Sequence, residues 1–482
     1  MNPATLLAVA AARWPDRPAV IDEDGVSHYR EVQARTESLA AELYRHGVGR
    51  GRAVGILCRN GRRFVEALFA VASVGADVVL LNTDFRTDAL AGALSEHRIA
   101  TVVCDDEFAD RVRAAADAVI VIDPATARTH DRDRRPKVAA AGRIVLLTSG
   151  TTGKPKGVPR QPTIGSAAVG VGASILDRTG LRTGSRIAVA VPMYHGLGLG
   201  MLILTIALGG TTLTRRRFNA EAALVDASRY RAEALTAVPV MLARLLDLPA
   251  AVRAQNPLRL KVVISSGARL DPSLARRFMD TYGDIIYNGY GSSEVGIGAL
   301  ATPADLREAP ETVGRPVAGC PVRIFDENDT PVGPHVTGRI FVGGDLRFDT
   351  YSGGGTKDVV GNMTSTGDMG YFDDAGRLFI VGREDEMVVS GGENVYPRGV
   401  ENALAEHPDV ADNAVIGVPD HEYGQRLAAF VVPQQGIEVD TAAIRDYLKD
   451  RVSRFEQPRE ITIVAKIPRN PTGKVLRDEL PT

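Results

Sequence analysis

Apolar and polar residues follow two different rhythms along this chain, and the changes of rhythm mark its elements. Residues 37–46 repeat apolar side chains at helical spacing, while 53–58 is a short unbroken apolar run of strand length. The same pair recurs as an apolar helix over 64–73 and a strand over 77–81. Helix–strand units repeated through 6–121 predict a parallel sheet covered on both faces, an α/β fold. A further buried strand is predicted over 143–147 and another over 262–264. The longest apolar run, 196–210, is glycine-rich and too short to span a bilayer, so it reads as a buried helix. Between 314 and 348 short alternating stretches with turn glycines predict a small β-barrel or sheet. The last hundred or so residues read as a small α+β unit. Its helices are expected at 399–406 and 441–452, its strands at 413–418, 428–432 and 461–464.

Composition narrows the class. A chain of 482 residues outgrows one compact core, which predicts two or three domains. Hydrophobic content of 44% with 24% charged residues is that of a soluble globular protein. A formal net charge of −2 gives no general attraction to nucleic acid or to a membrane, which leaves a small molecule as the expected partner. Cys58, Cys104 and Cys320 show no paired spacing and suit a reducing cytoplasm rather than a disulfide framework. The apolar run 6–12 has no basic segment before it and Arg13 directly after, so it is not read as a signal peptide. Residues 124–137 are charged and bounded by proline, the composition of a solvated linker. Gly47, Gly49 and Gly51 lie between a helix and the next strand, the wrong order for a dinucleotide fingerprint.

The densest chemistry lies at 147–158, L-T-S-G-T-T-G-K-P-K-G-V. Thr148, Ser149, Thr151 and Thr152 supply hydroxyls, Gly150, Gly153 and Gly157 let a backbone approach a polyanion, and Lys154 and Lys156 supply charge. Two of the chain's eight lysines fall in this one loop, while basic positions elsewhere are mostly arginine. The Walker A pattern does not fit: Gly150 and Gly153 are too close, and Pro155 stands where its Ser/Thr belongs. That disfavours a P-loop kinase and points to a phosphate-wrapping loop of another kind.

Four more stretches carry candidate chemistry. His195 follows V-P-M-Y and precedes Gly196 in a glycine-rich run. Ser266, Gly267 and Ala268 end the predicted strand at 262–264. Asn288-Gly289-Tyr290-Gly291-Ser292-Ser293-Glu294 sets a tyrosine between glycines, suited to stacking a base, four residues before a carboxylate able to hold magnesium. Near the C-terminus stands Pro468-Arg469-Asn470-Pro471-Thr472-Gly473-Lys474.

Taken together these stretches resemble the adenylate-forming superfamily of acyl- and aryl-CoA synthetases, peptide-synthetase adenylation domains and beetle luciferases. The resemblance rests on T-S-G-T-T-G-K-P-K-G, on P-x-x-H-x-x-G at His195, on Y-G-x-[ST]-E ending at Glu294, on T-G-D at Asp368, on G-R-E-D through Arg383 and on P-T-G-K at Lys474. It covers the whole chain in the superfamily's order. It implies a large N-terminal domain, 1–384, of α/β sheets with helices plus a small β-barrel. A small mobile α+β domain, 385–482, follows, hinged at Asp385.

The resemblance also implies roles. Thr148, Ser149, Gly150, Thr151, Thr152 and Lys156 would hold the phosphates of ATP. Gly267 and Ala268 would form the ledge for adenine, with Asn288, Gly289, Tyr290, Gly291, Ser292 and Ser293 around it and Asp368 and Arg383 on the ribose. Glu294 and Ser293 would hold Mg2+. His195 would gate an acyl pocket formed with Gly196, Val238, Pro239, Ser266, Gly267, Asn288 and Ile297. Lys474 would be catalytic for adenylation, and Ser390, Gly391, Gly392, Glu393 and Asn394 would form a flexible loop lining the coenzyme A tunnel. Two departures stand out: Ser293 replaces the usual threonine, and Gly399 replaces a glutamate in the pattern after the tunnel loop.

The function implied is ATP-dependent activation of a carboxylic acid to an acyl-adenylate, then transfer to coenzyme A. Peptide-synthetase domains commonly place an Asp just past the histidine motif, and Gly196–Gly200 here supplies none, so the acid is expected to lack an α-amino group. The small or apolar pocket residues favour a fatty, aryl or bulky alicyclic acid. Alternatives remain: adenylation that delivers to an acyl carrier protein or ends at the adenylate, and a non-catalytic nucleotide-binding protein of the same fold. The enzyme is expected in the cytoplasm as a monomer or homodimer, without integral membrane association.

Overall fold

A computed structural model describes residues 3–125, 142–149, 155–160, 165–346, 350–352, 354–390, 393–420, 424–470 and 475–481. The first sheet has six strands in the order Ile120–Ile122, Ile99–Cys104, Ala53–Leu57, Asp77–Leu80, Ile144–Ser149 and Pro155–Arg160. Five run parallel and the last is antiparallel to its neighbour. Helix Arg62–Ser73 packs on one face, with every residue from Phe64 to Ala72 buried. Leu90, Leu94, Phe108 and Val112 cover the other. Strands coated on both sides must be apolar at every position, which is why Val78, Val79 and Leu80 stand in an unbroken row. Truncating Phe69, which is fully buried, costs about 3–5 kcal/mol.

The second sheet has fourteen strands. Its parallel part runs Pro18–Asp22, Thr211–Leu213, Arg186–Val189, Ala234–Ala237, Val262–Ser265 and Ile286–Ser292. From Ile286–Ser292 onward the pairing turns antiparallel through Gly296–Ala301, Thr312–Pro316, Leu378–Arg383, Met363–Phe372, Gly338–Gly343 and Val322–Phe325. The short strands expected after 314 are thus hydrogen-bonded to the edge of the large sheet through Thr312–Pro316. Helix Gly196–Ala207 is the apolar run read as a buried helix, with Leu199, Met201, Leu202 and Ile206 in the main core. Among the described residues no helix is long and apolar enough to cross a membrane.

A five-stranded sheet closes the chain: Glu393–Val395, Val388–Ser390, Gly424–Pro433 and Val410–Asp420, with Glu460–Ile463 beside Gly424–Pro433. Strand alternation is visible in its two cores, Leu427, Ala429 and Val431 on one face and Ala428 and Phe430 on the other. Helix Pro397–Ala405 seats this unit on the large one: Arg269 lies 3.7 Å from Glu401, and Asn402 hydrogen-bonds Glu311. Arg276 adds a contact 3.5 Å from Glu406, just past the helix.

Several boundaries differ from the sequence reading. The helix expected at 37–46 begins at Tyr29, where Glu31 accepts a hydrogen bond from the His28 N–H at 2.7 Å and satisfies one of the helix's open donors. Of the stretch expected to be a flexible loop at 390–394, Ser390, Glu393 and Asn394 are paired strand residues, while Gly391 and Gly392 lie outside the described residues. Most of the charged linker lies outside the described residues.

Candidate active site

The site forms where neighbouring parallel strands end. Val262–Ser265 and Ile286–Ser292 lie side by side, with Ser265 opposite Asn288, and their carboxyl ends open into the two small-residue turns. Gly267 takes φ +85°, a left-handed conformation that glycine tolerates best, and a Cβ there would lie 3.4 Å from Val238 Cγ1. A Cβ on Gly289 would lie 3.4 Å from Ser266 and 3.7 Å from Ile297. Val238, Ser266, Gly267, Gly289 and Ile297 therefore form one patch, apolar and closely fitted. Asn288 is buried and donates from Nδ2 to the Thr312 carbonyl at 3.2 Å, which ties this strand to Thr312–Pro316. Ala268 continues the turn after Gly267.

Tyr290 projects from the same strand and donates its hydroxyl hydrogen to Asp368 Oδ2 at 2.6 Å. Burial, then the Asp368 charge, push its pKa well up, so the phenol stays a donor. Asp368 faces Arg383 across the pairing of Met363–Phe372 with Leu378–Arg383. Arg383 Nη1 lies 3.5 Å from Asp368 Oδ1, and the same guanidinium grips Asp385 in a two-point contact of 2.9 and 3.1 Å. Burial opposes the arginine's charge, but the Asp385 bond and both carboxylates outweigh it and raise its pKa. Asp385 itself lies in a single 3-10 turn, Glu384–Glu386.

Glu294 sits half-buried in the turn between Ile286–Ser292 and Gly296–Ala301. Its Oε1 accepts the Tyr351 hydroxyl hydrogen at 3.1 Å, and its N–H donates to Ser292 Oγ at 3.2 Å. Among the described residues no group of three or more His, Cys, Asp or Glu is arranged to hold a metal. One carboxylate with hydroxyls beside it fits magnesium, which takes one or two carboxylates and completes its shell with phosphate oxygens and water. Tyr351 lies on a segment fastened to strand Pro155–Arg160 by the Ser352 N–H, which donates to the Gly157 carbonyl at 2.9 Å.

His195 stands directly before helix Gly196–Ala207, its ring 4.6 Å from that of Tyr194. Burial lowers its pKa to about 4, so the imidazole is neutral at physiological pH. Gly196 faces Leu146, whose Cδ1 would lie 3.7 Å from a Cβ added at that glycine. Pro239 opens helix Pro239–Leu246 immediately after Val238.

Of the stretch expected to wrap phosphate, Thr148 pairs with Lys156 and Ser149 with Pro155 in the ladder between Ile144–Ser149 and Pro155–Arg160. Gly150, Thr151, Thr152, Gly153 and Lys154 lie outside the described residues, as do Gly391, Gly392 and Lys474. Ser390 is buried in the small sheet and pairs with Gly424 as well as Glu393. Three residues near the site carry no role in the sequence reading, although Arg398 directly precedes the departing Gly399. Tyr351 touches Glu294; Lys357 donates from Nζ to the Thr366 carbonyl at 2.9 Å beside Gly367; and Arg398, half-buried at the start of helix Pro397–Ala405, has its pKa lowered to about 10 by burial and by nearby Arg269. Their sequence signal is no more than a cation or a phenol at some remove from a recognised motif.

Comparison with known proteins follows the same outline. Residues 7–352 match the AMP-binding enzyme family and residues 399–474 the AMP-binding enzyme C-terminal domain. A sulfoacetate–CoA ligase of Cupriavidus necator is 30% identical over 501 aligned positions, covering 99% of this chain and 97% of that one. The structure of o-succinylbenzoate CoA synthetase from Bacillus subtilis, in complex with its acyl-adenylate intermediate, superposes with a TM-score of 0.86 at 26% identity, covering 98% and 97% of the two chains. The amide bond synthetase of Marinactinospora thermotolerans superposes with a TM-score of 0.87 at 26% identity, covering 99% of both.

Proposed function

Since the chain belongs to the AMP-binding enzyme family along nearly its whole length, we propose that it activates a hydrophobic carboxylic acid with ATP and passes the acyl group to coenzyme A. It is an AMP-forming acyl-CoA ligase that uses ATP, Mg2+ and coenzyme A. The observation that carries the nucleotide half of this reading is the chain Tyr290–Asp368–Arg383. A flat ring flanked by glycines is held by hydrogen bonding to a carboxylate that also faces Arg383, and a carboxylate is suited to accept from two ribose hydroxyls.

Two anions must meet for a carboxylate to attack phosphorus, so the site's work is electrostatic. Thr148, Ser149, Gly150, Thr151, Thr152 and Lys156 bind the triphosphate. Magnesium held by Glu294 beside Ser293 supplies countercharge there. Lys474 stabilises charge between the carboxylate and the α-phosphate, and pyrophosphate leaves. Residues 385–482 then turn about Asp385, bringing Ser390, Gly391, Gly392 and Glu393 to the site, where the thiol attacks the mixed anhydride and AMP departs.

The acid is proposed to be fatty, aryl or alicyclic. Val238, Gly267 and Ile297 supply apolar surface, Ser266 and Gly196 leave room, and His195 is neutral, so none of these residues offers a charge to a second anionic group. A pyrophosphate-release screen over a panel of acids, first without coenzyme A and then with it, tests the whole reading. Release with apolar acids and formation of their CoA thioesters is the expected result. Release only with dianionic acids overturns the substrate class, and adenylate that accumulates unless a carrier protein is added overturns the acceptor.

A further inference from the structure

Asp368, the carboxylate proposed for the ribose, stands on an interruption of its own strand. Met363–Phe372 pairs in order with Gly338–Gly343 on either side of it, Ser365 opposite Phe341 and Met369 opposite Arg339. Between those pairs Thr366, Gly367 and Asp368 face the single residue Ile340. Three residues against one make a bulge, a device that re-aims a side chain out of a ladder and leaves backbone groups there in need of other partners.

Those groups find partners one by one. The Thr366 hydroxyl donates to the Ile340 carbonyl at 3.1 Å and accepts from the Asp368 N–H at 3.1 Å. Ser365 Oγ accepts from the Gly367 N–H at 3.0 Å. The Thr366 carbonyl accepts from Lys357 Nζ at 2.9 Å, and a charged donor ties it more firmly than a neutral one. Lys357 reaches it across a hairpin. Val359 pairs with Thr364, and the Ser365 N–H donates to the Asp358 carbonyl at 2.8 Å, which brings Lys357 level with Thr366. Gly367 is fitted to the ammonium: its φ is +78°, and a Cβ there would lie 2.9 Å from Lys357 Nζ and 3.3 Å from Arg383 Nη2. Two cations thus stand against the bulge, with Asp368 and Asp385 to balance them. Burial opposes the Asp385 charge, but Arg383 and, after it, Lys357 hold its pKa down.

Resting on the proposed ribose role of Asp368, we infer that Lys357 is a positioning residue of the nucleotide site: by holding the Thr366 carbonyl it fixes the bulge from which Asp368 meets the ribose hydroxyls. It acts through Asp368 and touches no reacting atom.

The test measures pyrophosphate release by the wild type, Lys357→Met and Lys357→Arg, with ATP and with 2′,3′-dideoxy-ATP, which lacks both hydroxyls. Lys357→Met is expected to raise KM for ATP about tenfold with kcat within a few-fold of the wild type. For the dideoxy nucleotide its KM is expected to stay within about twofold of the wild type's, because the contact that the lysine serves is absent there. Lys357→Arg keeps a charged donor and is expected to stay within about threefold of the wild type for ATP. An equal rise for both nucleotides, or none for ATP, overturns the assignment. Calorimetry of AMP and 2′,3′-dideoxy-AMP, with neither acid nor acceptor present, separates this inference from the proposed reaction. AMP binding weakened in Lys357→Met while dideoxy-AMP binding is unchanged supports it even if no acid is ever turned over. A wild type that holds the two nucleotides equally refutes it even if acyl-CoA is formed.

Discussion

Arg383 is shared between Asp368, 3.5 Å away across the sheet, and Asp385, which it holds at 2.9 and 3.1 Å two residues along the chain. The first carboxylate is proposed for the ribose and the second for the hinge, so one guanidinium joins the nucleotide to the domain boundary. Replacing Asp385 with Ala frees Arg383 while leaving the backbone able to turn, and Asp385→Pro stiffens it. Asp385→Pro is expected to slow thioester formation at least tenfold relative to adenylation, and Asp385→Ala less. Single-turnover measurement of each half-reaction checks this, and equal slowing of both steps refutes the hinge.

Tyr290 donates to a charged acceptor, a class of hydrogen bond worth about 1.5–3 kcal/mol. Tyr290→Phe keeps the ring for stacking and removes only that bond. The expected outcome is a rise of roughly tenfold in KM for ATP with little change in KM for the acid. A larger effect on the acid than on ATP would move Tyr290 out of the nucleotide site.

Tyr351 aims its hydroxyl at Glu294 from a residue 57 positions away, and its pKa is raised by burial and then by the Glu294 charge, which keeps it a donor. Tyr351→Phe is expected to raise the Mg2+ concentration for half-maximal pyrophosphate release about three- to tenfold, and Glu294→Gln to raise it further, because only the latter removes the carboxylate. A magnesium titration identical to wild type in both variants would remove Glu294 from the metal site.

His195 gives a pH prediction. Its pKa is about 4 in the folded protein and near 6.5 in an unfolded chain. Between these values the unfolded chain binds more protons, so stability falls as pH drops through that window and is level above it. His195→Gln is expected to flatten that part of the stability curve, by something on the order of 2–3 kcal/mol at the acid end. Chemical denaturation at pH 4.5 and 7.5 measures the difference, and a wild-type imidazole that titrates near 6.5 by NMR refutes the shift.

Much of this architecture could be read from one chain because its strands are buried on both faces. Continuous apolar rows such as 77–80 and 262–265 carry a strong signal, and the small-residue turns that follow them mark the strands' carboxyl ends. Pairing between distant segments left no such trace. Pro155–Arg160 contains two prolines and two basic residues and reads as loop, yet it is an edge strand, where a missing donor is tolerated. The pairing of Val388–Ser390 with Glu393–Val395 was hidden by the glycines between them in the sequence. Tyr351 gained meaning only when the fold brought it to Glu294.

Lys474 is proposed for the first half-reaction alone, and the small domain makes contacts that a change of pose would have to break. Helix Pro397–Ala405 is the element seated on Arg269 and Glu311, while Arg477, three residues beyond Lys474, is bound to Glu386 at the hinge at 3.0 Å. The segment after Lys474 is thus tied to Glu386 within residues 385–482 and would turn together with them. Lys474→Ala is expected to cut pyrophosphate release at least a hundredfold, the scale of losing a preorganised charge from a phosphoryl-transfer site. Thioester formation from acyl-adenylate supplied ready-made is expected to stay within a few-fold of wild type. Equal loss of both steps would mean that the lysine supports the fold or both chemistries, and the two-pose mechanism would not stand.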